Sequence, residues 1–169
     1  MFKKIPISAL LTLTGKIEDL FPNISLNNDT FANYSEKFAR MKYEFEKYER
    51  YAVLKLEEEN LNSVVAPELK THFVQYAMDG VESLILDLSN VAYVDSSGLS
   101  AILTANRIWS EINGSFVLTG LKSKSVEKLI QISRLDTILT IIPTLPESVD
   151  FVMMEALERD LNGDLETGT

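Results

Sequence analysis

Asp95, Ser96, Ser97 and Gly98 are consecutive. They stand where an apolar, strand-like run over residues 91–94 gives way at once to a helix-like pattern that begins with Leu99. Two hydroxyls beside a carboxylate on such a corner can do three things. A serine can cap the helix, its oxygen accepting from a free N–H of the first turn, with Gly98 easing the tight turn. A serine can be a nucleophile, which needs a base within hydrogen-bond reach and a group to orient that base. A serine can also carry a modification: a phosphate there meets free N–H groups and the positive end of the helix dipole, while Asp95 repels it. The nucleophile is the weakest of the three. The single histidine, His72, lies inside a helical pattern between Thr71 and Phe73, and the corner does not read G-x-S-x-G.

The rest of the chain offers little competing chemistry. It has no cysteine, which excludes disulfides, thiolate catalysis and cysteine-bound metal. Glu57, Glu58 and Glu59 read as a solvated strand end, not a metal site. No glycine-rich phosphate loop is present, so no nucleotide, cofactor or metal is expected, and no catalytic residue is assigned. The formal net charge is −9 over 169 residues, against the basic field that nucleic acid or an anionic membrane requires. An acidic surface suits a cytoplasmic protein with a protein partner. No apolar run approaches the roughly 20 residues of a membrane span. The start, "MFKKIPISALLTLTG", has a short apolar stretch, but Pro6 and the polar threonines and serine weaken it, and no clear cleavage site follows.

Hydrophobic residues make up 46% and charged residues 24%, a globular balance. Residues 1–40 carry five cations against four anions, a net of +1, so the remainder carries −10. In them turn formers alternate with single apolar residues and no period is sustained, so they are read as a weakly structured extension. From Met41 the pattern sharpens, and residues 41–160 read as one domain with a flexible tail over 161–169. "KYEFEKYERYAVLKL" alternates twice, as two paired strands. "VVAPELKTHFVQYAMDG" is a helix, with Pro67 in the first turn, Leu69, Phe73, Tyr76 and Ala77 on one face, and Gly80 as the stop. "VESLILDL" is a buried strand, residues 97–112 a helix, "SFVLTG" a strand, and "KSKSVEKLIQISRL" a helix with Val126, Leu129, Ile130 and Ile132 inward. "TILTII" is a last strand, and a helix over about 147–160 follows Pro143 and Pro146. Single helices between strands imply parallel crossovers and an α/β fold: a mixed, mostly parallel sheet with an N-terminal hairpin, covered by helices. The Asp95 corner then lies at the carboxyl edge of that sheet, where functional loops of open α/β sheets gather.

The stretch "VESLILDLSNVAYVDSSGLSAILTANR" closely resembles the bacterial anti-sigma factor antagonists of the STAS domain family, in its "LILDLS" strand, its D-S-S-G-L motif and the helix after it. "GSFVLTGLKSKSVEKLIQISRLDTIL" is similar to that family's next strand and helix, and the resemblance covers about residues 41–150. It implies the STAS fold and a non-enzymatic role. It implies phosphorylation of the motif's second serine, here Ser97, by an anti-sigma factor that is also a serine kinase, with reversal by a PP2C-type phosphatase. The unmodified form would bind the anti-sigma factor and release the sigma factor, through Asp95, Ser96, Ser97, Gly98, Leu99 and Asn62. A STAS scaffold, or an accessory subunit of a signalling or lipid-transport complex, is the alternative. One departure stands out. The family's Gly-x-Leu-Asp element is matched by "ENLN", with Glu59 at the Gly position and Asn62 at the Asp position, one carboxylate fewer near Ser97.

Overall fold

The computed structural model describes residues 41–166. The extension expected over residues 1–40 lies outside them, as do residues 167–169. Seven strands and four helices follow in order: β1 Tyr43–Lys47, β2 Ala52–Leu56, β3 Asn60–Leu61, α1 Ala66–Met78, β4 Ser83–Asp87, β5 Tyr93–Val94, α2 Ser96–Glu111, β6 Ser115–Thr119, α3 Lys124–Ile132, β7 Thr140–Ile142 and α4 Leu145–Glu166. The main sheet has the order β1-β2-β4-β6-β7, with β1 antiparallel to β2 and every other pair parallel. This is the mixed α/β sheet with an N-terminal hairpin expected from the αβ alternation.

The strands sort their side chains by their period of two. Ala52, Leu54 and Leu56, Leu84 and Leu86, and Phe116 and Leu118 enter the large core under α1, α2 and α3. Val53, Ile85 and Val117 face the other way, against Val152 of α4. Both faces are covered, which is why "LILD" and "SFVLT" read as unbroken buried runs. At the centre of the large core Phe73, Trp109 and Phe116 meet with ring centroids 6.1–6.2 Å apart. Trp109 still satisfies its N–H, donating from Nε1 to the Val81 carbonyl at 3.1 Å. On the far face Arg159 of α4 donates to the hydroxyls of Ser115 and Ser83, at 2.8 and 3.1 Å, and fastens that helix to two strands.

Several local expectations are corrected. Ile132 is 70% exposed, because α3 ends there and only Val126 and Ile130 reach full burial. The last strand begins at Thr140; residues 135–137 form a 3₁₀ turn instead, set up by Arg134 at φ 54°. α4 starts at Leu145 and continues through residues 161–166, which the sequence assigned to the tail. The two-residue strands β3 and β5 were not anticipated, and they build the site.

Candidate functional site

β3 and β5 form a separate parallel pair, Asn60 beside Tyr93 and Leu61 beside Val94. The residue after each strand is a predicted site residue: Asn62 after β3, Asp95 after β5. Thirty-three positions of sequence separation thereby collapse to one register step.

Asp95 is the hub of the corner. Its backbone is extended, at φ −99° and ψ −175°, and its carbonyl accepts from Leu99 N at 2.9 Å, the first bond of α2. Its Oδ1 accepts from Gly98 N at 3.0 Å, and its Oδ2 accepts from Ser63 N at 3.3 Å. Its own N–H donates to the Leu61 carbonyl at 3.2 Å. One side chain therefore caps α2 and ties the loop before α1 to it. This corrects the reading of Ser96 or Ser97 as the cap. Both serines already have helical backbone, and a cap must come from the non-helical residue before them.

The consequence is that neither serine hydroxyl has a hydrogen-bond partner among the described residues. Ser96 is exposed and Ser97 half-buried. Gly98 is buried for a reason other than the expected turn. A Cβ there would stand 2.3 Å from the Leu61 carbonyl oxygen and 2.8 Å from Val94 Cγ1. α2 begins in backbone contact with β3, and only glycine permits it. Asn62 plays the matching part at α1. Its Oδ1 accepts from Val64 N at 2.9 Å and its carbonyl from Ala66 N at 2.8 Å, turning the chain into the helix.

Leu99 is half-buried and lines a groove of about 330 Å³ beside the corner, with Ser96, Ser100, Leu103, Arg107 and Leu135. The six predicted partner-binding residues are thus brought to one edge of the domain, five at the start of α2 and Asn62 across from them. His72 lies elsewhere. It packs between the rings of Tyr43 and Tyr76, with centroids 4.8 and 5.6 Å away, and its Nε2 is 3.7 Å from Glu68 Oε1. Burial pushes its pKa down, opposed by Glu68. It faces β1, not α2. Among the described residues no three His, Asp or Glu side chains stand close enough to hold a metal ion.

Sequence reasoning missed Lys70. Its Nζ donates to Ser100 Oγ of α2 at 2.9 Å, and burial lowers its pKa. The apolar period of α1 puts Lys70 on a flank of the helix, but nothing in the sequence says which element that flank meets.

The sheet order and the capped corner define a small α/β domain with a hairpin edge and a serine-bearing helix start at its carboxyl edge. The chain belongs to the STAS domain family, whose model matches residues 42–148. Solved structures agree. A Thermotoga maritima protein assigned as an anti-sigma factor antagonist is 26% identical with a TM-score of 0.58, over 66% of this chain and 94% of that one. The anti-sigma factor antagonist SpoIIAA in its unphosphorylated form is 21% identical with a TM-score of 0.58, over 66% and 96%. The murine anion transporter Slc26a9 shares the fold at 16% identity and a TM-score of 0.55, but over only 18% of its own length. No helix among the described residues is long and apolar enough to cross a membrane.

Proposed function

We propose that this protein is a cytoplasmic anti-sigma factor antagonist, switched by phosphorylation on Ser97. In its unmodified form it binds an anti-sigma factor that is also a serine kinase, and the sigma factor is released. Phosphorylation ends that binding, and a PP2C-type phosphatase restores it. The protein is a substrate and a binding partner, not an enzyme. The observation that carries this reading is the division of labour at the corner. Asp95 does the capping, so the Ser97 hydroxyl is left without a structural task, on an edge that also presents Ser96, Leu99 and the groove.

The switch follows from charge. A phosphoserine adds about −1.5 to −2 charges at pH 7. One close pair of like unit charges at 4 Å costs about 4 kcal/mol at an effective dielectric near 20. A loss of even about 3 kcal/mol is more than a hundredfold in affinity. The fold need not move, since the first-turn N–H groups and the helix dipole offset part of the added charge.

The test is binding and phosphorylation with the kinase partner. Ser97→Ala should bind as the wild type does and resist phosphorylation. Ser97→Asp should stay folded and bind about a hundredfold more weakly. A phosphate found by mass spectrometry on Ser96 would overturn the residue assignment. Equal kinase binding by Ser97→Asp and wild type would overturn the charge switch, and a wild type that retains no kinase would favour the scaffold reading.

A further inference from the structure

Lys70 is a half-buried ammonium that ends on a neutral hydroxyl, Ser100 Oγ at 2.9 Å. No carboxylate lies within 4 Å of it among the described residues. That is unusual company. Buried lysines are ordinarily paired, and Lys55 and Arg50 of this domain do hold carboxylates, Lys55 with Glu44 and Glu57, Arg50 with Asp160. Arg159 also ends on serine hydroxyls, but those belong to β4 and β6, and there the guanidinium clamps α4 to the sheet. Lys70 clamps nothing so deep. It reaches from α1 to the second turn of α2, three residues after Ser97. Residues three apart share one side of a helix, separated by a rise of about 4.5 Å.

The carboxylates nearest in the chain are already occupied. Glu68 turns the other way, its Oε2 accepting from Met41 N at 2.9 Å and its Oε1 near His72. Asp95 spends both oxygens on Gly98 N and Ser63 N. The cation therefore ends on α2 three residues from Ser97, on the same side of the helix, with no carboxylate paired to it among the described residues. Burial holds its pKa below the ordinary lysine value, because the charged form has lost part of its hydration, and a nearby anion would offset that loss.

We propose that Lys70 is the counter-ion of a phosphate on Ser97: on modification its Nζ leaves Ser100 Oγ for the phosphate oxygens and ties α1 to α2. This rests on Ser97 as the modified residue. The flexible four-carbon stem of lysine allows the change of partner, and a charge-assisted bond to phosphate is stronger than the one to a hydroxyl. The exchange would draw the phosphate onto the body of the domain and leave the Ser100 hydroxyl unpartnered in the groove wall, so the modified form would differ from the unmodified one in two polar groups on the docking edge.

The experiment uses the full chain with phosphoserine placed at position 97 during synthesis, so that no kinase is needed. Phosphorus NMR follows the second ionisation of the phosphate, near pH 6 when unperturbed. It should fall at lower pH in the wild type than in Lys70→Met, by about half a unit or more, and Lys70→Arg should restore it. In parallel, the Lys70 amine, followed by its own nitrogen resonance, should titrate at higher pH in the phosphorylated protein than in the unmodified one. That second measurement needs no variant and decides the matter if Lys70→Met does not fold. Identical phosphate titrations in folded wild type and Lys70→Met, or an unmoved Lys70 amine, would overturn the proposal. A kinase that never modifies Ser97 would sink the functional reading and leave this coupling measurable; an absent coupling would leave the functional reading standing.

Discussion

Two helices of this domain begin beside a serine, and the serines are spent differently. At α3, Ser123 is itself the cap: its Oγ accepts from Val126 N at 3.4 Å and donates to the Ala92 carbonyl at 2.8 Å. Donor and acceptor are both used, and the hydroxyl belongs to the fold. At α2 the same duty falls to Asp95, one residue before the helix, and the two serines that follow keep their hydroxyls. A carboxylate cap has a second oxygen, which α2 uses to hold Ser63 and with it the start of α1. The comparison separates a serine whose hydroxyl is bonded within the fold from two whose hydroxyls are not. Residue type does not distinguish them; position relative to the first helical residue does.

The largest effect expected is at the glycine that lets the α2 corner close. Gly98→Ala should lower the unfolding free energy by about 3 kcal/mol, the upper end of ordinary overpacking, because the new Cβ meets backbone oxygen of Leu61. Denaturant midpoints measure it, and a loss below about 0.5 kcal/mol would mean that the corner is not closed on β3. Next comes the cap. Asp95→Ala should cost about 1–2 kcal/mol, and Asp95→Asn less, since its amide oxygen still caps α2 while its Nδ2 cannot accept from Ser63 N. The comparison itself is put at risk by three alanines. Ser123→Ala should cost about 1 kcal/mol, while Ser96→Ala and Ser97→Ala should stay within about 0.5 kcal/mol of the wild type. If Ser97→Ala destabilised as much as Ser123→Ala, the difference between the corners would vanish.

The smallest effect lies away from both corners and serves as their pH control. Burial holds the folded-state pKa of His72 below its unfolded value of about 6.5. The unfolded chain therefore takes up the proton first as pH falls, and the stability from the neutral imidazole, complete above that value, is lost progressively below it. Wild type should lose stability more steeply than His72→Phe between pH 7 and pH 5. Equal slopes in urea melts would show that the imidazole is not sensed. Neither slope should change with Ser97→Ala or Ser123→Ala, since His72 faces β1.

Much of this architecture is legible from patterning. The runs around Leu84–Leu86 and Val117 are too apolar for a strand with a wet face, and helical periods in "VVAPELKTHFVQYAMDG" and over residues 97–112 place Leu69, Phe73, Ile102 and Trp109 inward, where all are buried. Those signals survive because burial on a repeating geometry is averaged over many residues. Ile132 escaped the pattern because it is the last residue of its helix, with no further turn to hold it against the core.

The corner is a different case. Local sequence was enough to place Asp95, Ser96, Ser97 and Gly98 between a strand and a helix, and to put their resemblance to a known switch in view, because a chain reversal with a capping residue is a short-range property. It was not enough to say which residue caps. That depends on a backbone phase one residue wide. Nor could patterning bring Asn62 to Asp95, which only the family resemblance put near the corner, or Lys70 to Ser100. The first contact depends on a pairing of two residues with two, too short to show any period, and the second on which flank of α1 packs against α2. Both are settled by long-range packing, where the free energy comes from burying faces that lie far apart in the chain, and a single sequence records such choices only after the core has made them.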